Sequence, residues 1–167
     1  MKNGFLNRLA LSLATFFGVG RFPKAPGTFG TLATIPLWWA LWHLGPVLYM
    51  VVVLLLIPVG ILAAQAYEAQ SATHDSKEIV IDEVVGFLIT MTWMPMTWQA
   101  VVAGFVIFRF FDIVKPPPIR QLDQRVQGGL GVMIDDMAAG LIGGIIMQVL
   151  YTQTSWLGAQ TITLTNP

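Results

Sequence analysis

The run VVAGFVIFRFFDIV, residues 101–114, is apolar except for Arg109 and Asp112. A second apolar run opens at Leu130 and carries Asp135 and Asp136 side by side. Ionised groups inside such segments are expensive, so they persist where they are paired, hold an ion or take part in a reaction. Few folds tolerate this pattern, because the charges must be gathered in one protected place or neutralised pair by pair.

The rest of the chain shows why these runs are read as membrane-embedded. Of 167 residues, 55% are hydrophobic and 11% charged, against roughly 25% charged in an ordinary soluble domain. Mean hydropathy is +0.69. One domain of this length cannot hide so much apolar surface from water, so an integral membrane protein is expected. Nine basic and nine acidic residues leave no net charge, which gives no reason to expect a nucleic-acid partner. The absence of cysteine excludes disulfides, thiolate metal sites and a cysteine nucleophile.

The first twenty residues, MKNGFLNRLALSLATFFGVG, have the positive start and short apolar core of a signal peptide, yet no A-x-A-type cleavage site follows. They read as a retained helix in the membrane interface, with Lys2 and Arg8 on its polar side. Residues 20–31, GRFPKAPGTFGT, are rich in Gly and Pro and read as a loop. Leu32 to Leu44 supply about 13 apolar residues around Pro36, a short span or a re-entrant half-helix. After Gly45–Pro46, Val47 to Tyr67 supply about 21, enough to cross a bilayer at ~1.5 Å per residue. Residues 68–79 are polar and leave the membrane.

The run 79–94 is apolar apart from Asp82 and Glu83 near its start. Pro95 to Thr97 turn the chain, and Trp98 to Val114 return. Residues 115–129 read as a polar loop holding Lys115, Arg120, Asp123 and Arg125. Leu130 to Tyr151 form the last span, where Ala139, Gly140, Gly143 and Gly144 have small-residue spacing suited to close helix packing. The expected architecture is one all-α membrane domain. It has an interfacial helix over 1–20, a catalytic bundle over 21–151 with about four to five embedded helices, and an uncharged tail over 152–167.

The turns at 44–46 and 95–97 and the tail carry no charge, so the lysines and arginines lie on or beside the other loops. The positive-inside rule puts the N-terminus and residues 68–79 and 115–129 in the cytoplasm. That threading brings Asp82, Glu83, Arg109, Asp112, Asp135 and Asp136, from three separate spans, to one depth near the cytoplasmic ends.

Asp82, Glu83, Asp112, Asp135 and Asp136 would repel one another there. Arg109 and Lys115 offset two charges, and a bound cation answers the rest. The only histidines are His43 and His74, and His43 falls at the outer turn. Oxygen donors alone select a hard ion, Mg2+ before Mn2+ or Ca2+. The competing reading is that these acids pair with Arg109, Lys115 or the backbone and only pin helices together. Arg109, Asp112 and Lys115 share one helix face, and the prolines at 116–118 stop the helix and hold the lysine near the acids. The loop at 20–31 adds Arg21, Lys24, glycines and two threonines ahead of a helix start, which makes an anion site available. A plain helix start capped by Thr28 or Thr31 is the alternative, and no Walker pattern is present. A cation, basic side chains and a phosphate-accepting loop on one face point to phosphoryl chemistry on a lipid, by attack of water or of an aspartate.

PGTFGT, IDEVVG, FRFFDIVKPPPI and GGLGVMIDDMAAG, in this order and spacing, resemble the bacterial phosphatidylglycerophosphatase A family over roughly residues 18–150. The resemblance implies Mg2+-dependent removal of the terminal phosphate of phosphatidylglycerophosphate, giving phosphatidylglycerol. It also implies a multi-pass protein of the bacterial inner membrane with a cytoplasmic active site. The family's acidic positions fall on Asp82, Glu83, Asp112, Asp135 and Asp136, as candidate metal ligands and, with Lys115, as catalytic groups. Its basic and loop positions fall on Arg109, Lys115, Lys24, Gly27 and Thr28, with Arg21 beside them, as candidate phosphate-binding groups.

Two other classes are consistent with intramembrane acids. A CDP-alcohol phosphatidyltransferase needs D-G-x-x-A-R and two later aspartates four apart. The first pattern is absent, and four residues beyond Asp135 and Asp136 stand Ala139 and Gly140. A transporter or ion-binding protein would also retain such acids, but no inverted repeat is visible and the charges fall at one face, away from the midplane.

Overall fold

A computed structural model describes residues 4–71 and 76–158. Lys2, the part of the polar connection that holds His74, and the tail from residue 159 lie outside the described residues. Among the described residues the chain is all helical: α1 (Gly4–Ala14), a 3-10 turn (Val19–Arg21), α2 (Pro26–Trp42), α3 (Pro46–Ser71), α4 (Ile81–Thr90), α5 (Trp98–Val114), α6 (Ile119–Arg125) and α7 (Gly128–Gln153).

Two of these helices, α3 and α7, are long and apolar enough to cross a membrane. Each has 26 residues, about 39 Å at ~1.5 Å rise per residue. Their outer faces carry large apolar side chains in the open, with Leu62 65% and Ile145 66% exposed. A continuous apolar exterior of this kind suits lipid and would aggregate in water. The two helices and this exterior point to a membrane protein.

The N-terminal helix is shorter than residues 1–20. It ends at Ala14, where the Thr15 hydroxyl donates to the Leu11 carbonyl and accepts from the Gly18 N–H, and Phe16, Phe17 and Gly18 take positive φ. The helix lies along α3, with Asn7 Nδ2 donating to Gln70 Oε1 at 2.8 Å, and leaves Phe5 and Leu6 exposed.

The next helix starts well before the apolar segment at Leu32. Pro26 occupies the first turn of α2, where a missing N–H does no harm and the fixed φ favours a helix. The start is capped neither by Thr28 nor by Thr31: Ala25 is the residue before it, in a left-handed conformation, and Thr31 donates to Gly27 O. Pro36 does not break α2. The Gly and Pro content of residues 20–31 reflects a tight helix entry as much as a loop. Likewise, residues 115–129 are not all loop, since α6 forms directly after the three prolines.

The run 79–94 departs furthest from expectation. Only Ile81–Thr90 is helical, and ten residues cover about 15 Å, half of a hydrocarbon core of ~30 Å. This short helix is central, packed against α7, α2, α3 and α5. Gly86 and Gly140 bring α4 and α7 into backbone contact, so a methyl on either would overlap the opposing chain. The last carbonyls of a helix have no partner within it, and in lipid no water supplies one. Here neighbours do. Tyr49 Oη donates to Leu88 O at 2.5 Å, Trp38 Nε1 to Met91 O at 3.3 Å, Trp42 Nε1 to Met94 O at 3.0 Å, and Gln148 Nε2 to Thr92 O at 3.0 Å. Side chains from α2, α3 and α7 thus let α4 stop inside the bundle.

The helix directions sort the residues by end. Every charged residue described lies in the half where α2 and α4 begin and α5 ends. The opposite half holds all the tryptophans, and Trp39, Trp42, Trp93, Trp98 and Trp156 are exposed there. Such a ring of amphipathic side chains marks a membrane–water interface.

Candidate active site

At the charged end the starts of α2 and α4, the end of α5 and the first turns of α7 enclose a cavity of about 520 Å3. Asp82, Glu83, Asp112, Asp135 and Asp136 all line it, with Arg109, Lys115 and Gly27. The five acids gathered by charge threading therefore meet in one place.

Within the cavity they divide. Oxygens of Asp82, Glu83 and Asp136 lie within 4.8 Å of one another. Asp82 and Glu83 sit in the first turn of α4, where the helix dipole favours negative charge, and Asp82 Oδ1 accepts the Glu83 N–H at 3.0 Å. Asp136 comes from α7 and is 3% exposed. The other two acids are held by cations. Arg109 pairs with Asp112 through Nη1, and the same nitrogen stands 3.7 Å from Glu83 Oε1. Lys115 Nζ meets Asp135 Oδ2 at 2.5 Å. Lys115 is the left-handed residue that ends α5, a conformation that turns its side chain back over the cavity before the prolines carry the chain away.

The donor set fits a hard divalent cation. Glu83 Oε2 and Asp136 Oδ2 are buried with no hydrogen-bond partner among the described residues, an arrangement that normally carries a penalty of about 1–3 kcal/mol or more for a charged group. Three oxygen donors close together, two with buried unpartnered oxygens, are what Mg2+ or a similar ion satisfies.

The start of α2 faces the same space. Gly27 is required by proximity: a methyl there would overlap Glu83 Oε1 and sit 3.1 Å from Arg109 Nη1. Thr28 Oγ1 accepts a long hydrogen bond from Arg109 Nη2, at 3.5 Å. The first N–H groups of a helix have no internal acceptor, and they favour an anion. Arg21 and Lys24 stand apart from this group. Both are exposed outside the lining, and Arg21 Nε lies 3.7 Å from Glu78 Oε2. Sequence reasoning missed Ser76 and Lys77, which line the cavity beside Ile79. The signal for Lys77 was a cation shortly ahead of Asp82, in a stretch read only as a polar connection.

The family model described as phosphatidylglycerophosphatase A matches residues 12–151, which includes every acid of the cavity. The chain belongs to this family. A phosphatidylglycerophosphatase A of Escherichia coli (strain K12) is 46% identical over 136 residues, 81% of this chain and 79% of the relative. One from Haemophilus influenzae is 39% identical over 148 residues, 87% of this chain and 90% of the relative. A Bacteroides thetaiotaomicron protein, 37% identical over 149 residues and 84% of this chain, bears the provisional name phosphatidylinositol-3-phosphatase; the match covers 92% of it. No solved structure matches the chain significantly.

Proposed function

We propose that this enzyme removes the terminal phosphate of phosphatidylglycerophosphate, releasing phosphatidylglycerol and inorganic phosphate, with Mg2+ held by Asp82, Glu83 and Asp136. The observation that carries the reading is the convergence of those carboxylates beside Arg109 and Lys115, in a chain that belongs to a phosphatidylglycerophosphatase family. In the reaction, oxygen from water bonds to phosphorus, the phosphorus–oxygen bond to glycerol breaks, and the leaving oxygen takes up a proton. Such hydrolysis is among the slowest of uncatalysed reactions, so charge on the phosphoryl oxygens has to be met by fixed positive groups. A bound divalent ion supplies part of that charge and acidifies water.

The chain's own groups share the remaining work. Lys115, 28% exposed at its side chain, meets the phosphoryl oxygens and is aimed by Asp135. Arg109, 14% exposed, braces Asp112 and Glu83 and keeps the carboxylates at their spacing. The N–H groups at Gly27 and Thr28 receive the phosphate. Arg21 and Lys24 stay at the rim, where they face headgroup phosphates. The bundle embeds α2, α3, α4, α5 and α7, with the cavity on the cytoplasmic face of the bacterial inner membrane, as the one-sided charge and the opposite tryptophan ring support.

Purified enzyme should release phosphate from phosphatidylglycerophosphate in Mg2+ and stop in EDTA. Unchanged turnover in chelator, or faster release from phosphatidylinositol 3-phosphate, would overturn the reading. The orientation is checked by single cysteines in this cysteine-free chain. In intact cells Leu44→Cys should react with an impermeant thiol reagent and Gln121→Cys should not; the reverse pattern would put the site outside.

A further inference from the structure

A lipid headgroup has to reach the cavity from the bilayer, and the cavity walls are not equally closed. Between α3 and α7, Gly129 leaves no room for even a methyl against the Ile61 carbonyl. Between the 3-10 turn and the start of α4, Gly20 is equally tight against the Glu78 carbonyl, and the Val80 N–H donates to Ala14 O at 2.9 Å. Between α6 and α7, Gly131 abuts the Val126 carbonyl. These seams are backbone against backbone.

The seam between the start of α2 and the end of α5 is built differently. The two helices pack sparsely, and there they are joined through side chains by the long Arg109–Thr28 hydrogen bond at 3.5 Å. Both of its edges line the cavity, Pro26 and Gly27 on one side and Asp112 and Lys115 on the other. The outer surface beside each edge is apolar. Phe22 stacks on Phe29 with centroids 4.2 Å apart, and the two rings are 52% and 36% exposed. On α5, Phe110 and Ile113 are 54% and 67% exposed.

We propose that the α2–α5 seam is a lateral portal for the lipid substrate, with acyl chains lying against Phe22, Phe29, Phe110 and Ile113 while the phosphate end sits in the cavity. This rests on the lipid-phosphatase reading above and adds where the diacyl part binds. An amphiphile needs an apolar surface continuous with a polar, cation-lined space, and this seam joins the two. Another large apolar recess, about 550 Å3 between α3, α4 and α7, lies beside the C-terminal end of α4. Met133 packed on Gly60 separates it from the acids, so it serves as the control surface.

The test compares diacyl phosphatidylglycerophosphate in mixed micelles with its deacylated, water-soluble headgroup. The double variant Phe22→Ala/Phe29→Ala should lower the ratio of kcat/KM for diacyl over deacylated substrate about tenfold, mainly through KM, as expected for lost aromatic contact. Leu141→Ala, in the control recess, should keep the wild-type ratio. A ratio unchanged in the phenylalanine variant, or lowered equally by Leu141→Ala, overturns the portal. Wild-type enzyme inert on both substrates would overturn the phosphatase reading instead. A diacyl analogue with a photoreactive group in its acyl chain decides the portal without turnover. Labelled peptides should come from residues 26–42 and 98–114, and labelling confined to α3 and α7 overturns it.

Discussion

At the cavity end of the bundle the helices meet through charge, whereas at the other end they meet through tryptophans, a tyrosine and backbone carbonyls. At the cavity Asp82, Glu83 and Asp136 are crowded against their own electrostatics, and Arg109 and Lys115 relieve only part of the repulsion. The carbonyls of Leu88, Met91, Thr92 and Met94 each accept from a neutral donor. Both ends bury polar groups in an apolar bundle, but only the second satisfies them internally. Unmet polarity gathers at the cavity, and met polarity secures the helix ends opposite it.

Three substitutions test that contrast. Asp136→Asn should have the largest effect on activity, lowering phosphate release by at least ~10²–10³-fold, as when one positioned electrostatic group is lost. In EDTA its thermal midpoint should match or exceed the wild type, because this buried carboxylate stands within 4.8 Å of oxygens of Asp82 and Glu83. A large fall in midpoint would mean that Asp136 is structural. Arg109→Ala should act in the opposite sense, lowering stability by roughly 3–5 kcal/mol because it strands buried acids. A higher Mg2+ concentration for half-maximal activity should accompany it, and an unchanged midpoint would move Arg109 from brace to phosphate ligand. Tyr49→Phe should be the mildest, about 1 kcal/mol of stability for one interhelical hydrogen bond, with kcat/KM kept. If Tyr49→Phe abolished turnover at full stability, the division between the two ends would fail.

The sequence carried the site further than it carried the fold. Charge placement alone brought Asp82, Asp112 and Asp136 to one depth, because ionised groups in apolar segments have so few places to go. The split into three convergent acids and two salt-bridged ones was not legible, since it depends on which helix faces which. The short α4 was hidden for a related reason. Residues 79–94 are apolar enough to suggest a span, and what ends the helix is a set of donors from Trp38, Tyr49 and Gln148, distant in sequence. The entry of α2 was masked by composition: Pro26 and Gly27 read as breakers, yet one starts the helix and the other lets Glu83 approach. Lys77 went unnoticed because a lone lysine in a polar stretch has no local pattern.

The half-length of α4 has a consequence for biogenesis. Seven of its ten residues are buried by neighbouring helices, so it has no lipid-facing side of its own and too few residues to be held across a bilayer alone. It is packed only when α2, α3 and α7 are there to receive it, and α7 comes last in the chain among the helices of the described residues. Asp82 and Glu83 therefore meet Asp136 only once α4 and α7 are packed together. A chain without α7 would lack Asp135 and Asp136 and the helix against which α4 packs most.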